Sequence, residues 1–592
     1  MDFFWNALSL IGGLALFLFG MSFMGQGLEQ RAGGRLSGWL SKMTASRFRG
    51  LLLGTAVTAL IQSSSAVTVM AVGFVNSGLL TLSQVTGVIF GANIGTTVTA
   101  WLVSLTQIEG GGLFFELLKP TSFTPILALI GIICYMFCKK DSLKSTGGIL
   151  LGFAVLMYGM SAMSDAARPL AEHEGFRSVL LWFDNPLFGL LAGALLTAII
   201  QSSSASVGIL QALSATGQIS VGATIPIIMG QNIGTCVTAL LSCVGAGKNA
   251  KRTALIHLYF NLIGSGVLLV VYLLLQWLIG LPWSARGANA ASIALTHTVF
   301  NLLCTLLLYP AAPLLVRLAE RTIPDRGEEK NAELEPALPA ALLDARFLAL
   351  PALAIEHSRT VADEMAVLAV ENIRVSFSLL SNYDGAAFER LVSREDRIDR
   401  MQDEIENYLV TVSGQPISEA ESMTVTALLH QIGDWERIAD HAVNIGETAR
   451  TLSGAATFSD RAWQDLTVLR AALDEILALS LLAFREDRID AAEAVEPLEE
   501  VIDDLRAEIR DRSVARLCRS ECSVEVGFLF TDLLTDLERI ADHCSNIAGV
   551  LLSASSGGLR VHDYLERSRG CNEARFEEQY RAYAARFALP RS

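Results

Sequence analysis

The chain has 592 residues, of which 52% are hydrophobic, and a formal net charge of −15. Residues 1–322 contain 17 Lys and Arg against 10 Asp and Glu, whereas the remaining residues contain 28 against 50. The acidic second part argues against nucleic acid as a partner, and nine scattered cysteines argue against a disulfide framework. Apolar runs of about 20 residues, the length that crosses a bilayer, recur in the first part. We therefore expect residues 1–322 to form a membrane domain within the lipid bilayer.

The first predicted element is a transmembrane helix at the N-terminus. Its sequence, MDFFWNALSLIGGLALFLFGMSFM, has no basic segment before the apolar run and no A-x-A cleavage site. These features differ from those of a cleaved signal peptide, so we expect this helix to be retained.

Two copies of one pattern follow at a constant spacing of 139 residues. Gly50–Ala66, which ends in Q-S-S-S-A, returns as Gly189–Ala205 with 12 of 17 positions identical. The segment G-A-N-I-G-T-T that begins at Gly91 returns as G-Q-N-I-G-T-C from Gly230. The two repeats are predicted to span about residues 5–105 and 146–245, with further membrane helices to residue 320.

The basic residues of the loops predict opposite orientations for the two repeats, because Lys and Arg favour the cytoplasmic side. The loop after the first helix of the first repeat carries five basic residues: Arg31, Arg35, Lys42, Arg47 and Arg49. The equivalent loop of the second repeat has only Arg168 and Arg177, beside four carboxylates. We therefore predict inverted repeats with the N-terminus outside and the acidic second part in the cytoplasm.

Each Q-S-S-S cluster interrupts an apolar stretch that is too short to span a bilayer. Leu51–Ile61 precedes the first cluster and Val67–Leu80 follows it, whereas a span needs about 20 residues. Two short helices that meet at a polar tip form a re-entrant hairpin, which is tolerated where it lines a protein cavity. Such paired interruptions in two repeats predict a binding site at mid-membrane.

Neutral polar residues crowd these segments, while Leu51–Ile108 and Asn185–Gly247 contain no Asp, Glu, Lys or Arg. Hydroxyls and carbonyls can bind a cation, and amide groups with helix N-termini can bind an anion. Because a lone buried charge is costly, we expect cation and anion to bind together and neutralise each other. The candidate binding residues are Gln62, Ser63, Ser64, Ser65, Thr68, Asn93, Thr96 and Thr97, and Gln201, Ser202, Ser203, Ser204, Asn232 and Thr235.

Close helix packing is the competing interpretation, since small residues often serve it in membranes. It explains N-I-G-T better than Q-S-S-S, because packing does not require Gln followed by three serines. A third interpretation is that Gly95 and Gly234 mark a helix break that frees backbone groups.

The acidic part follows a charged, Pro-containing linker at residues 323–350 and shows helical patterns over 351–556. Asp434–Ile445 returns as Asp536–Ile547, so we expect two three-helix halves. The tail, residues 557–592, carries no motif that predicts a function.

Carboxylates in this repeat share helix faces at i, i+4 spacing, which is mildly destabilising unless a cation offsets it. Arg437 and Arg539 are candidate partners, and a metal held by facing carboxylates of a helical bundle is the alternative. The candidate metal ligands are Glu395, Asp399, Glu436, Asp440, Glu499, Asp503, Glu538 and Asp542.

The twin Q-S-S-S motifs resemble those of the type II sodium/phosphate cotransporters and their bacterial relatives. The resemblance implies an all-α, multi-pass protein of the plasma or inner membrane that moves inorganic phosphate with Na⁺ as the coupling ion. It assigns the shared site to Gln62–Ser65 and Gln201–Ser204. The D-x-E-R-I-A-D-H repeats look like PhoU domains, which implies phosphate regulation and a divalent or iron metal cluster.

Several alternatives stay open at the level of sequence. They are a sodium-independent or outward-directed phosphate transporter and a membrane-anchored phosphate sensor; a homodimer is also compatible with the sequence. An enzyme is disfavoured, because the serine clusters have no G-x-S-x-G elbow and no acid near them in the membrane.

Overall fold

Helices account for the architecture throughout the part of the chain that the computed structural model describes, residues 2–41, 46–105, 120–170, 173–324, 341–455, 457–555 and 573–590. Within those ranges no strand forms, and one isolated bridge pairs Ser220 with Gly287. The all-α prediction is therefore confirmed. The chain divides into two units, Met1–Leu353 and Ala354–Ser592.

The first unit contains long apolar helices together with pairs of shorter ones. Its α-helices are α1 (Asp2–Ser41), α2 (Arg47–Ile61), α3 (Ser64–Asn76), α4 (Leu82–Ser104), α5 (Pro120–Phe137), α6 (Asp141–Leu170), α7 (Glu174–Trp182), α8 (Pro186–Ile200), α9 (Ser203–Ser214), α10 (Val221–Ser242), α11 (Lys248–Ile279), α12 (Ala290–Leu308) and α13 (Ala312–Thr322). Two 3₁₀ turns add Pro282–Ala285 and Ala345–Ala349.

Six of the described helices are long and apolar enough to cross a membrane. Large apolar side chains remain exposed along them, for example Val270 and Trp277 of α11, as expected where a helix faces lipid. The chain is therefore a multi-pass membrane protein. The six spans are Phe3–Arg31, Leu82–Ser104, Ser142–Leu170, Val221–Ser242, Lys248–Ile279 and Ala290–Leu308.

The internal repeat extends to the helix boundaries. Helices α2, α3 and α4 begin at Arg47, Ser64 and Leu82, and α8, α9 and α10 begin 139 residues later in each case. We call α2 and α3 the first hairpin, and α8 and α9 the second hairpin. In each repeat, a polar tip separates two helices of 12 to 15 residues.

Glycines let each hairpin pack closely on the helix that follows it. A Cβ on Gly91 of α4 would lie 2.1 Å from the Leu51 carbonyl oxygen, and one on Gly230 of α10 would lie 1.9 Å from that of Leu190. Gly95 and Gly234 likewise face Thr58 and Thr197, and both lie inside uninterrupted helices. The helix-break interpretation of these two glycines is therefore wrong, because their role is close packing.

The second unit has six long helices, three from each half of its repeat, as the sequence predicts. They are α14 (Pro351–Ser381), α15 (Gly385–Ser413), α16 (Glu419–Ala455), α17 (Asp460–Glu486), α19 (Val495–Cys518) and α20 (Val524–Ser555). A short α18 (Ile489–Glu493) precedes α19, and α21 (Glu573–Arg586) lies in the tail. Tyr580 of α21 hydrogen-bonds Asp504 of α19, so this part of the tail packs onto the unit.

Candidate functional site

Both hairpin tips have the same backbone geometry. Gln62 and Gln201 end α2 and α8 in the left-handed region, with φ of 62° and 57°. Non-glycine residues rarely adopt this conformation. Ser63 and Ser202 then cap the next helix, each accepting a hydrogen bond from a backbone N–H three residues on at 3.2 Å. Each tip therefore places the C-terminus of one helix beside the N-terminus of the next.

The two tips meet. The hydroxyl of Ser65 lies 3.5 Å from the backbone oxygen of Gln201, across 136 residues of sequence. Two helix N-termini, with their partial positive charge and unpaired N–H groups, thereby come close together. The structure therefore brings the two Q-S-S-S clusters into contact.

The serines of the tips differ in exposure. Ser203 and Ser204 are buried, whereas Ser63, Ser64, Ser65 and Ser202 are half-buried. Thr68 is buried behind the first tip, and its hydroxyl donates to the backbone oxygens of Ser64 and Ser65 at 2.9 and 3.0 Å. Hydrogen bonds between its own residues thus stabilise the first tip.

The N-I-G-T residues line the helices behind the tips. All five side chains are buried and hydrogen-bond a backbone oxygen of their own helix three or four residues earlier. Threonine hydroxyls that donate in this way keep oxygen lone pairs for a cation. The five residues are Asn93, Thr96, Thr97, Asn232 and Thr235.

Two residues that the sequence interpretation missed distinguish the tips. Thr99 of α4 is buried and donates to Gln62 Oε1 at 2.8 Å. Its counterpart in the second repeat, Thr238 of α10, has a buried hydroxyl with no partner among the described residues, and Gln201 is exposed. The 139-residue spacing relates both pairs and could have identified them.

A further symmetric pair lies one turn before each tip. Thr58 and Thr197 accept the N–H of Gln62 and Gln201 on their backbone oxygens at 2.8 and 2.7 Å. Their hydroxyls are buried and have no partner within the described part of the chain. Buried polar groups are normally satisfied, so these two hydroxyls mark the positions where each tip has spare hydrogen-bonding capacity.

In the second unit, Glu499, Asp503 and Asp542 each offer a carboxylate oxygen, and these atoms lie within 4.8 Å of one another. Burial, with the nearby Glu496, Asp503 and Asp542 charges, raises the pKa of Glu499 to about 8. Glu538 is instead paired with Arg506 at 2.7 Å. Clustered carboxylates are the ligand type that hard divalent cations prefer, and three of the four predicted ligands of this half fit such an ion.

The other half brings Glu395 close to Asp440. Burial and the Asp440 charge raise the pKa of Glu395 to about 7, and burial and Asp440 also raise that of Glu436. The Asp399 charge contributes to both shifts. Arg437 lies 3.7 Å from Glu436 and 3.6 Å from Asp440, so this arginine partly offsets the negative charge.

The D-x-E-R-I-A-D-H motifs pair with each other across the repeat. His441 Nδ1 lies 2.9 Å from Asp536 Oδ1, and His543 Nδ1 lies 2.9 Å from Asp434 Oδ1. These reciprocal contacts join α16 to α20. The first Asp and the His of each motif therefore join the two halves of the unit.

Two sequence profiles match the chain. That of the Na⁺/Pi-cotransporter family matches residues 16–165 and 155–282. That of the PhoU domain matches residues 362–449 and 469–551. The matches fall on the two units separately.

Individual relatives agree with these matches. The chain is 31% identical over 312 residues to the uncharacterized protein YqeW of Bacillus subtilis. This alignment covers 52% of this chain and 96% of YqeW. It is 25% identical over 538 residues to YjbB of Salmonella typhimurium, named as a candidate inorganic phosphate export protein, across 90% and 95% of the two chains. It is 34% identical over 146 residues to sodium-dependent phosphate transport protein 2C of Mus musculus, 24% of each chain.

The fold and the paired tips define a multi-pass helical membrane protein built from two homologous repeats. The chain belongs to the Na⁺/Pi-cotransporter family and carries two PhoU domains after its membrane unit. Membership in this family supports phosphate transport as its activity.

Proposed function

We propose that this protein is a sodium-coupled symporter of inorganic phosphate, with both ions bound between the two hairpin tips. The contact between Ser65 and Gln201 carries the proposal, because it joins the two Q-S-S-S clusters in one place. The similarity to a sodium-dependent phosphate transport protein supports the choice of ions.

Charge balance explains the coupling. From Leu51 to the end of the first hairpin, and throughout the second hairpin, the sequence contains no ionisable side chain that could neutralise phosphate. An isolated buried ion is strongly unfavourable. Helix N-termini and serine hydroxyls donate to phosphate, while carbonyl and hydroxyl oxygens coordinate Na⁺. Each ion then supplies the countercharge of the other, so neither is expected to cross alone.

The difference between the tips supports alternating access. Gln62 is held by Thr99, whereas Gln201 is exposed and Thr238 has no partner in the described residues. In inverted repeats, the opposite-facing state exchanges the conformations of the two halves. We therefore propose that Gln201 bonds Thr238 in that state, while Gln62 leaves Thr99.

The acidic second unit is proposed to be a cytoplasmic regulatory domain. The basic loops of the first unit support this orientation. The cluster of Glu499, Asp503 and Asp542 is proposed to hold a divalent cation or iron, and the metal would neutralise carboxylates that otherwise repel each other.

Phosphate uptake into proteoliposomes tests the proposal. We expect [³²P]phosphate to accumulate when an inward Na⁺ gradient is imposed and not when choline replaces sodium. Ser64→Ala and Ser203→Ala should abolish uptake while membrane insertion is preserved. Ser214→Ala is the matched control, because Ser214 is a buried serine at the far end of the second hairpin. Uptake that is independent of sodium would contradict the coupling.

Outward transport of phosphate is the second candidate. The similarity to YjbB over 90% of the chain favours it, since the direction of a coupled carrier depends on the gradients it meets. Efflux from phosphate-loaded cells measures this directly. Efflux that exceeds that of a Ser64→Ala and Ser203→Ala double variant would establish export.

A further inference from the structure

A short segment before the second unit, Leu342–Leu350, is seated on the first unit. Its sequence follows the charged linker, and the side chains of Leu342, Phe347 and Leu350 are buried. The segment contacts the C-terminal ends of α3 and α10. We call this surface the socket and define it by Gly73, Phe74, Asn76, Ser242 and Gly247.

Phe347 fills the centre of the socket. The side chain is fully buried, and its ring lies 5.2 Å from that of Phe74, centroid to centroid. A Cβ on Gly73 would lie 3.0 Å from Phe347 Cε1. This distance is tighter than most real Cβ contacts, so the absence of a side chain at position 73 makes room for the ring.

Polar contacts surround this aromatic centre. Asn76 Nδ2 donates to Asp344 Oδ2 at 3.0 Å, and Asn76 Oδ1 accepts from the Gly247 N–H at 3.1 Å. Arg346 Nε donates to the Ser242 carbonyl oxygen at 3.0 Å and forms an ion pair with Asp344. The segment therefore ties α3 of the first repeat to the C-terminal end of α10, which belongs to the second repeat. Asn76 itself ties α3 to Gly247, the residue before α11.

The position of α3 gives this connection a consequence for transport. The helix begins with Ser64 and Ser65 at the first tip and ends at Asn76 in the socket. Because α3 is a single helix of 13 residues, a movement of the tip against the second repeat has to move Asn76 relative to Ser242. The seated segment opposes that movement.

We propose that the socket is a docking surface for Leu342–Leu350 and that the docked segment restrains the first hairpin during transport. This inference rests on the proposed transport function. The chain runs from Leu350 directly into helix α14, which begins at Pro351. A change in the second unit can therefore release or seat the segment, which gives the PhoU domains a route to regulate transport.

Hydrogen–deuterium exchange of the full-length protein in detergent tests the docking without any transport measurement. Phe347→Ala and Asn76→Ala should each speed exchange in peptides that cover residues 70–77 and residues 342–350. Asn76 is exposed, so its variant is expected to fold even if Phe347→Ala does not. Ala345→Ser is the control, because Ala345 is exposed within the same segment. Unchanged exchange in both variants would overturn the docking.

Phosphate flux in proteoliposomes tests the restraint. Phe347→Ala and Asn76→Ala should raise the initial rate several-fold over the wild type and Ala345→Ser, with sodium dependence unchanged. Faster exchange with an unaltered or lower flux would overturn the restraint and leave a purely structural contact. If even the wild type carried no phosphate, the proposed function and the restraint would both fail, while the exchange data would still decide the docking.

Discussion

Gln62 and Gln201 have the same backbone conformation but different side-chain environments. Both end a helix in the left-handed region, yet only Gln62 receives a hydrogen bond from the threonine of the helix behind it. Since the backbone is alike, the difference lies in the hydrogen bonding and exposure of the two side chains. A transport cycle can therefore exchange the two arrangements without refolding either tip.

Valine at the two equivalent threonines should have opposite effects on stability. Thr99→Val removes a buried hydrogen bond worth about 0.5–1.5 kcal/mol and leaves Gln62 Oε1 without that donor. Thr238→Val removes a buried hydroxyl that has no partner in the described structure, so it should stabilise this state. Thermal unfolding of the purified protein in detergent should show a lower midpoint for Thr99→Val and an unchanged or higher one for Thr238→Val.

Both variants should also slow phosphate flux, because each shifts the balance between the two states. Equal destabilisation by both substitutions would contradict the exchange of partners between the repeats.

At the scale of helices, the glycines of α4 and α10 set the distance between each hairpin and its supporting helix. Backbone atoms lie where a side chain at Gly91 or Gly230 would start. Backbone cannot move aside as a flexible side chain can. Contacts about three turns away from each tip thus fix the position of the hairpin along its supporting helix.

Gly230→Ala should destabilise the membrane unit and displace the second tip. Its Cβ would lie 1.9 Å from the Leu190 carbonyl oxygen, and overpacking of this kind costs about 1–3 kcal/mol or more. Gly266→Ala is the matched control in α11, where a Cβ meets no atom within 4 Å. The two unfolding midpoints in detergent compare them, and equal midpoints would contradict close packing.

The acidic cluster of α19 and α20 should make stability depend on pH. The pKa of Glu499 is about 8 in the folded protein, above its ordinary value. The contribution of its protonated carboxyl to folding stability is therefore fully present below the unfolded pKa. That contribution is lost as the pH rises through about 8. For metal-free protein, the temperature of the unfolding midpoint should therefore decrease as the pH is raised from about 5 to about 8. Glu499→Gln should make this decrease with pH smaller.

A divalent cation should restore the midpoint of the wild type at high pH, because it takes the place of the proton among the carboxylates. Asp474→Asn, at an exposed carboxylate paired with Arg470 on α17, is the control. A slope that Glu499→Gln leaves unchanged would show that this cluster does not govern the pH dependence.

For the whole molecule, the sequence predicts the two units, the helical class and both hairpins, because constant spacing and apolar length are properties of the chain itself. It does not predict that Gln62 and Gln201 differ, since identical motifs give no information about which state each half occupies. Nor does it single out Thr99 and Thr238, because threonine in an apolar helix resembles a packing residue.

The sequence also does not predict contacts between segments that are distant along the chain. Glu538 pairs with Arg506 of the neighbouring helix, whereas the sequence offered Arg539 of its own helix as a candidate. The charged, Pro-containing sequence predicts that residues 341–350 belong to a linker, yet Phe347 is fully buried in the first unit. Burial of this kind depends on the socket and is not visible in local composition.

We propose that phosphate and sodium neutralise each other between the two tips. The measurement that decides this is equilibrium binding of [³²P]phosphate to the purified protein as sodium replaces choline at constant ionic strength. We predict that phosphate affinity rises steeply with sodium and that phosphate raises sodium affinity by the same factor, as linkage requires. Phosphate affinity that does not change with sodium would contradict the claim.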